Sequence, residues 1–135
     1  MKRQARLLVE LARAGFWLVL TELWLRGGLP GVCRRLGITL DLESADPPST
    51  TPAVLPRRMR TPIHACRLAV HFWPAGDTCL RRCLLVGHRL RALHPVLRIG
   101  VRRMPNGDFS AHSWLEIDGH TLDAGAADYQ TLGRA

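Results

Sequence analysis

Ala-His-Ser-Trp-Leu-Glu-Ile-Asp-Gly-His-Thr-Leu-Asp, residues 111–123, reads as a strand, a tight turn and a returning strand. His112, Trp114 and Glu116 alternate with Ser113, Leu115 and Ile117, the period of a strand. Asp118-Gly119 is a two-residue hairpin signal, which pairs Ile117 with His120 and Trp114 with Asp123. His112 then lies diagonally across from Asp123 on one sheet face. Upstream, Leu97, Ile99 and Val101 alternate with Arg98, Gly100 and Arg102, and Asn106-Gly107 signals another turn. The reading is a three-stranded antiparallel meander over residues 96–104, 109–117 and 120–124. If the turn at 106–107 is also of two residues, Val101 faces His112 and Ile99 faces Trp114. Leu97, Ile99, Val101, His112, Trp114 and Asp123 then share one face, the apolar one that a helix should cover. A one-residue bulge in either turn shifts that set.

The covering helix is expected just upstream. After the Ala75-Gly76 turn, Asp77 or Thr78 can cap a helix running to about Leu93, with Cys79, Cys83, Val86, Gly87 and Leu90 on one stripe. Gly87 in mid-helix implies close packing against a neighbour. Another helix is predicted over 61–72, stopped by Trp73-Pro74, and a long one over 3–26, ended by Gly27-Gly28 and Pro30-Gly31. A short segment at 32–42 follows the long helix. The division expected is an N-terminal helical arm (1–45), a proline-rich extended linker (46–60) and a core (61–135), forming one compact unit overall. The arm's apolar arc is broad. Packing on the chain's own core is its first reading, docking on a partner the second, and membrane-surface attachment a minor one.

The totals narrow the classes. The chain has 135 residues and 47% hydrophobic content, enough for one core and too much for global disorder. Its net charge of +8 is almost all arginine, with eleven arginines and one acid, Asp77, between Arg57 and Arg103. Such a stretch favours anionic partners, although biased codon usage gives the same composition. The arginines lack the interleaved aromatic pattern of single-strand binders, so no nucleic acid is expected. Cys33, Cys66, Cys79 and Cys83 come without a clean secretory signal, and the apolar run 14–20 is too short to span a bilayer. A cytoplasmic protein with reduced thiols is expected.

Cys79, His112 and Asp123 are the candidate catalytic residues. Free N–H groups at a helix start and a nearby imidazolium stabilise a thiolate. His112 would take the thiol proton and later give it to a leaving amine, while Asp123 would hold the ring in the useful tautomer. The Cys79 N–H is one oxyanion donor, and a second is not evident. Asp128 is the reserve acid. Glu116 lies four residues from His112, roughly 13 Å along the strand, too far to orient it. Cys83, Cys66 and Cys33 read as packing. A zinc site from Cys79, Cys83, His88 and His94 lacks a common structural spacing. The chemistry needs no cofactor and no metal. A transglutaminase-like amidase or acyltransferase, or a non-enzymatic basic binding module, are the competing readings.

Thr-Cys-Leu-Arg-Arg-Cys-Leu-Leu-Val (78–86), Leu-Arg-Ile-Gly-Val-Arg (97–102) and Ala-His-Ser-Trp-Leu-Glu-Ile-Asp-Gly (111–119) resemble the leader peptidases of lasso-peptide biosynthesis, which are transglutaminase-like cysteine proteases. The resemblance covers roughly residues 60–125. It implies an α+β, papain/transglutaminase-like fold in which the helix carrying the cysteine packs on a small antiparallel sheet. It also implies Cys79 as nucleophile, His112 as base and Asp123 as acid, with removal of the leader from a ribosomally made precursor peptide as the activity. The expected partners are that precursor as substrate, a leader-recognition protein and an ATP-dependent macrocyclase. Serine at 113 stands where the family usually has alanine, an exchange expected to have no effect.

Overall fold

Helix α1 (Lys2–Leu25) turns Ala14, Leu18 and Thr21 inward and packs along α3 (Arg60–His71) and α4 (Cys79–Arg89). Two ion pairs fasten it to α4: Glu10 accepts from Arg89 Nε and Nη2 at 3.2 and 3.0 Å, and Glu22 accepts from Arg81 Nε. Gly28, at φ 101°, lets the chain reverse into α2 (Leu29–Leu36), and Gly37 ends α2 in the left-handed conformation. The computed structural model of the chain describes residues 1–44, 46–123, 125–126 and 129–131. Among them no helix is long and apolar enough to cross a membrane.

Among the described residues the sheet has five strands: β1 (Thr39–Asp41), β2 (Val96–Arg103), β3 (Phe109–Ile117), β4 (His120–Thr121) and β5 (Gln130–Thr131). β3 and β4 extend the sheet from one side of β2, both antiparallel to their neighbours. On the other side β1 pairs parallel with residues 96–98, and β5 pairs antiparallel with residues 100–101. The expected meander is therefore present but enlarged. The two added strands are too short to show a period of their own and exist only through pairing with β2.

The two hairpins differ. Asp118 and Gly119 sit at φ 51° and 74° and form the tight turn that pairs Ile117 with His120, as expected. The other register is one residue away from expectation: Gly100, not Val101, faces His112, and Arg98, not Ile99, faces Trp114. The cause is Pro105. A two-residue turn at Asn106-Gly107 would make Pro105 the flanking strand residue, where the ladder wants an N–H that proline lacks. The chain instead closes from Met104 to Asp108 over Pro105-Asn106-Gly107, with Gly107 at φ 89°. This is the three-residue loop in which a type I turn is followed by a left-handed glycine.

That single residue decides which face is the core. Leu97, Leu115 and Ile117 are buried with Leu84 and Leu85 of α4, and Ser113 lies on the same face. His112, Trp114 and Glu116 point the other way with Arg98 and Gly100, so the expected sharing of the helix-covered face by His112 and Trp114 does not occur. Gly87 does pack closely: a Cβ there would lie 2.7 Å from Ile38 Cδ1. Residues 46–56 form no helix or named strand and run along the sheet. Arg98 donates to the Asp46 and Pro47 carbonyls, and Ala53 N–H donates to Thr121 O at 2.7 Å.

Candidate active site

Thr78 is extended (φ −119°, ψ 151°) and its hydroxyl accepts from Arg81 N–H at 3.2 Å, a side-chain cap that starts α4 at Cys79. The capping leaves the Cys79 and Leu80 N–H groups without partners among the described residues. The turn before the cap is fixed from below. Arg81 donates from Nη1 to the Ala75 and Gly76 carbonyls at 3.1 and 3.0 Å, while its Nε is held by Glu22 of α1.

His112 stands on β3 beyond the stretch that β4 covers, because Glu116 and Ile117 are the β3 residues that pair with β4. A cleft at such an edge takes lining from both sheet faces. One cavity of about 390 Å³ here is lined by Cys79, His112, Ser113 and Asp123 together. His112 Nε2 is hydrogen-bonded to Asp123 Oδ2, the diagonal pairing that the Asp118-Gly119 turn predicts. Asp123 is itself anchored: its N–H donates to Thr121 Oγ1 at 3.0 Å and its Oδ1 accepts from Gly125 N–H at 2.8 Å. With Nε2 occupied, Nδ1 is the ring nitrogen left to exchange a proton with Cys79. No hydrogen bond joins the thiol to the ring in this structure. The half-buried thiol instead receives the Ser113 hydroxyl, Oγ to Sγ 3.4 Å.

Ser113 and Tyr129 are the site residues that the sequence did not single out. The serine, expected to have no effect, touches the candidate nucleophile, and only the corrected strand parity would have shown it. Tyr129 stacks on His112 with ring centroids 4.9 Å apart, and the Arg102 guanidinium lies over the Tyr129 ring at 5.0 Å. Gly100 makes room for this, since a Cβ there would lie 2.9 Å from Trp114, Tyr129 and the Gln130 carbonyl. Glu116 does not orient the ring. It accepts from Trp114 Nε1 at 2.8 Å and pairs with Arg98 at 3.3 Å, which fixes the indole beneath His112. Asp128 lies outside the described residues.

Burial acts on the other three thiols. Burial pushes Cys33 up to about 11 and Cys66 to about 12. Cys83 rises to about 12, also through burial, and its thiol faces the Ser113 carbonyl at 3.4 Å. Among the described residues no three of His, Cys, Asp or Glu are placed to share a metal ion. His88, considered for a zinc site, is turned away: its Nδ1 is 3.0 Å from the Leu36 carbonyl and its ring lies 4.0 Å from that of Trp17.

Neither a curated protein nor a solved structure matches the chain. The family model described as the transglutaminase-like superfamily matches residues 17–134.

Proposed function

Because the chain belongs to the transglutaminase-like superfamily, which includes cysteine peptidases, we propose that it is a cysteine endopeptidase. Its substrate in this reading is a ribosomally made precursor peptide, cut at the leader–core junction during lasso-peptide maturation. The observation that carries the reading is a single cavity containing a thiol at a capped helix start and an imidazole already paired with a carboxylate.

Cys79 Sγ attacks the scissile carbonyl carbon as the C–O π pair moves onto oxygen, and His112 Nδ1 takes the thiol proton. The developing oxyanion is met by the unpartnered N–H groups at the start of α4. Collapse breaks the C–N bond, the imidazolium gives its proton to the leaving amine, and a thioester remains on Cys79. Water, deprotonated by His112, then breaks the S–C bond and releases the leader as a free acid. Asp123 stays ionised throughout and holds the ring tautomer.

The partners follow from the same reading. Leu8, Phe16, Val19 and Leu23 form an exposed apolar stripe on α1, opposite the face that packs on the core. A leader-recognition protein docking there would deliver the substrate, and a separate ATP-dependent macrocyclase would take the released core peptide. The setting of this reading is the cytoplasm.

The test is incubation of the protein with a candidate precursor and its leader-binding protein, followed by mass analysis. Free leader acid is expected from the native chain and none from Cys79→Ala, which keeps its circular dichroism and its partner binding. Full cleavage by Cys79→Ala would remove the assignment. A product with a new amide in place of the acid would identify an acyltransferase using the same three residues.

A further inference from the structure

Two arginines line the cleft beside Cys79. Ile63 and Arg67 are one turn apart on α3, as are Cys79 and Arg82 on α4, and all four line the cavity. Leu55, Val86, Leu115 and Leu122 add an aliphatic part to the wall. Arg67 is exposed and has no acidic partner among the described residues. Arg82 is exposed and lies against Asp77, Nε to Oδ1 3.2 Å, while also lining the cavity. Among the described residues the only carboxylate lining the cavity is Asp123, and both of its oxygens are engaged, by His112 and by Gly125 N–H. The start of α4 adds a partial positive charge of its own.

The geometry points to a subsite for an acidic side chain: Arg67 and Arg82 select peptides carrying an aspartate or glutamate within one or two residues of the bond presented to Cys79. The aliphatic wall takes the neighbouring apolar side chain. This deepens the peptidase reading by naming a substrate class and rests on Cys79 being the reactive thiol. The two arginines are specificity residues, and a guanidinium suits the role because its planar fork matches a carboxylate.

The experiment uses two small alkylating probes on the intact chain, iodoacetate and iodoacetamide, with Cys79 modification followed by peptide mapping. They differ in charge at nearly the same size, so their rate ratio at Cys79 reads the local potential. The ratio in the native chain should exceed that for a free cysteine. It should fall by roughly fivefold for each of Arg67→Gln and Arg82→Gln, the size of one partly screened charge interaction. Peptides with Glu near the cut should likewise lose their KM advantage over Gln peptides in the double variant, with kcat little changed. A ratio unmoved by both substitutions, with Cys79 still readily alkylated, would overturn the subsite and leave the peptidase reading standing. Failure of Cys79 to react with either probe, while the fold persists, would overturn both.

Discussion

Asp123 and Tyr129 constrain the same imidazole in different ways, one by a hydrogen bond at its edge and the other by stacking on its face. The two should separate in kinetics. Asp123→Asn keeps the shape but offers the wrong hydrogen-bonding partner, so kcat should drop by up to about 10⁴-fold, as in other triads, with residual turnover measurable. Tyr129→Phe should be nearly silent, since the ring alone makes the contact. Tyr129→Ala should lose roughly 1 kcal/mol of stacking and lower kcat with it. Gly100→Ala disturbs the same corner from beneath. Its new methyl would meet three atoms at 2.9 Å, two of them on Trp114 and Tyr129. Thermal melts should show a loss of about 1–3 kcal/mol, and cleavage assays a slower enzyme. Unchanged melting and activity in Gly100→Ala would mean that this corner is looser than described.

Hairpin loops set what each strand presents. Deleting Pro105 would leave Met104 opposite Asp108 across an Asn106-Gly107 turn, so Gly100 should still face His112 and stability should stay within about 1 kcal/mol. A deletion variant that unfolds, or that loses the His112–Asp123 pairing by NMR, would show that the loop does more than set register. The same loop marks where sequence reasoning stops. The Asp118-Gly119 turn, a helix start capped by Asp77 or Thr78 and the tight packing at Gly87 were legible because a few neighbouring residues signal each. The turn alone joins His112 to Asp123 on one sheet face. The other hairpin departs from the Asn-Gly rule because Pro105, directly before that pair, lacks the N–H that a ladder position needs. β1 and β5 could not be read, since strands of two or three residues carry no periodicity and take their order from β2. Ser113 and Tyr129 became visible only once strand parity and tertiary packing were known.

Buried titratable groups tie the stability of the fold to pH on both sides of neutrality. Burial holds His88 below its ordinary value of 6.5, with Arg13, Arg89 and Arg91 adding to the effect against a hydrogen bond to Leu36, and its Nε2 is buried without a partner among the described residues. The unfolded chain therefore takes up a proton near 6.5 that the folded chain refuses, and stability falls as the pH drops below that value. Glu10 adds a further loss at lower pH: Arg89 holds its carboxyl below the ordinary 4.5, so its contribution disappears as the pair is protonated. On the alkaline side the unfolded chain releases thiol protons above about 9 that buried Cys33, Cys66 and Cys83 keep, so stability falls again. Thermal melts across this range at fixed ionic strength should show a plateau between about 6.5 and 9. His88→Gln should flatten its acid shoulder, and an acid limb unchanged by that substitution would assign the loss to other groups. The outward stripe on α1 has a practical consequence for handling the protein. Leu8, Phe16, Val19 and Leu23 leave an oily flank that water wets poorly. Purified alone, the chain should scatter more light as it is concentrated, and changing Phe16 and Leu23 to glutamate should restore its colloidal solubility.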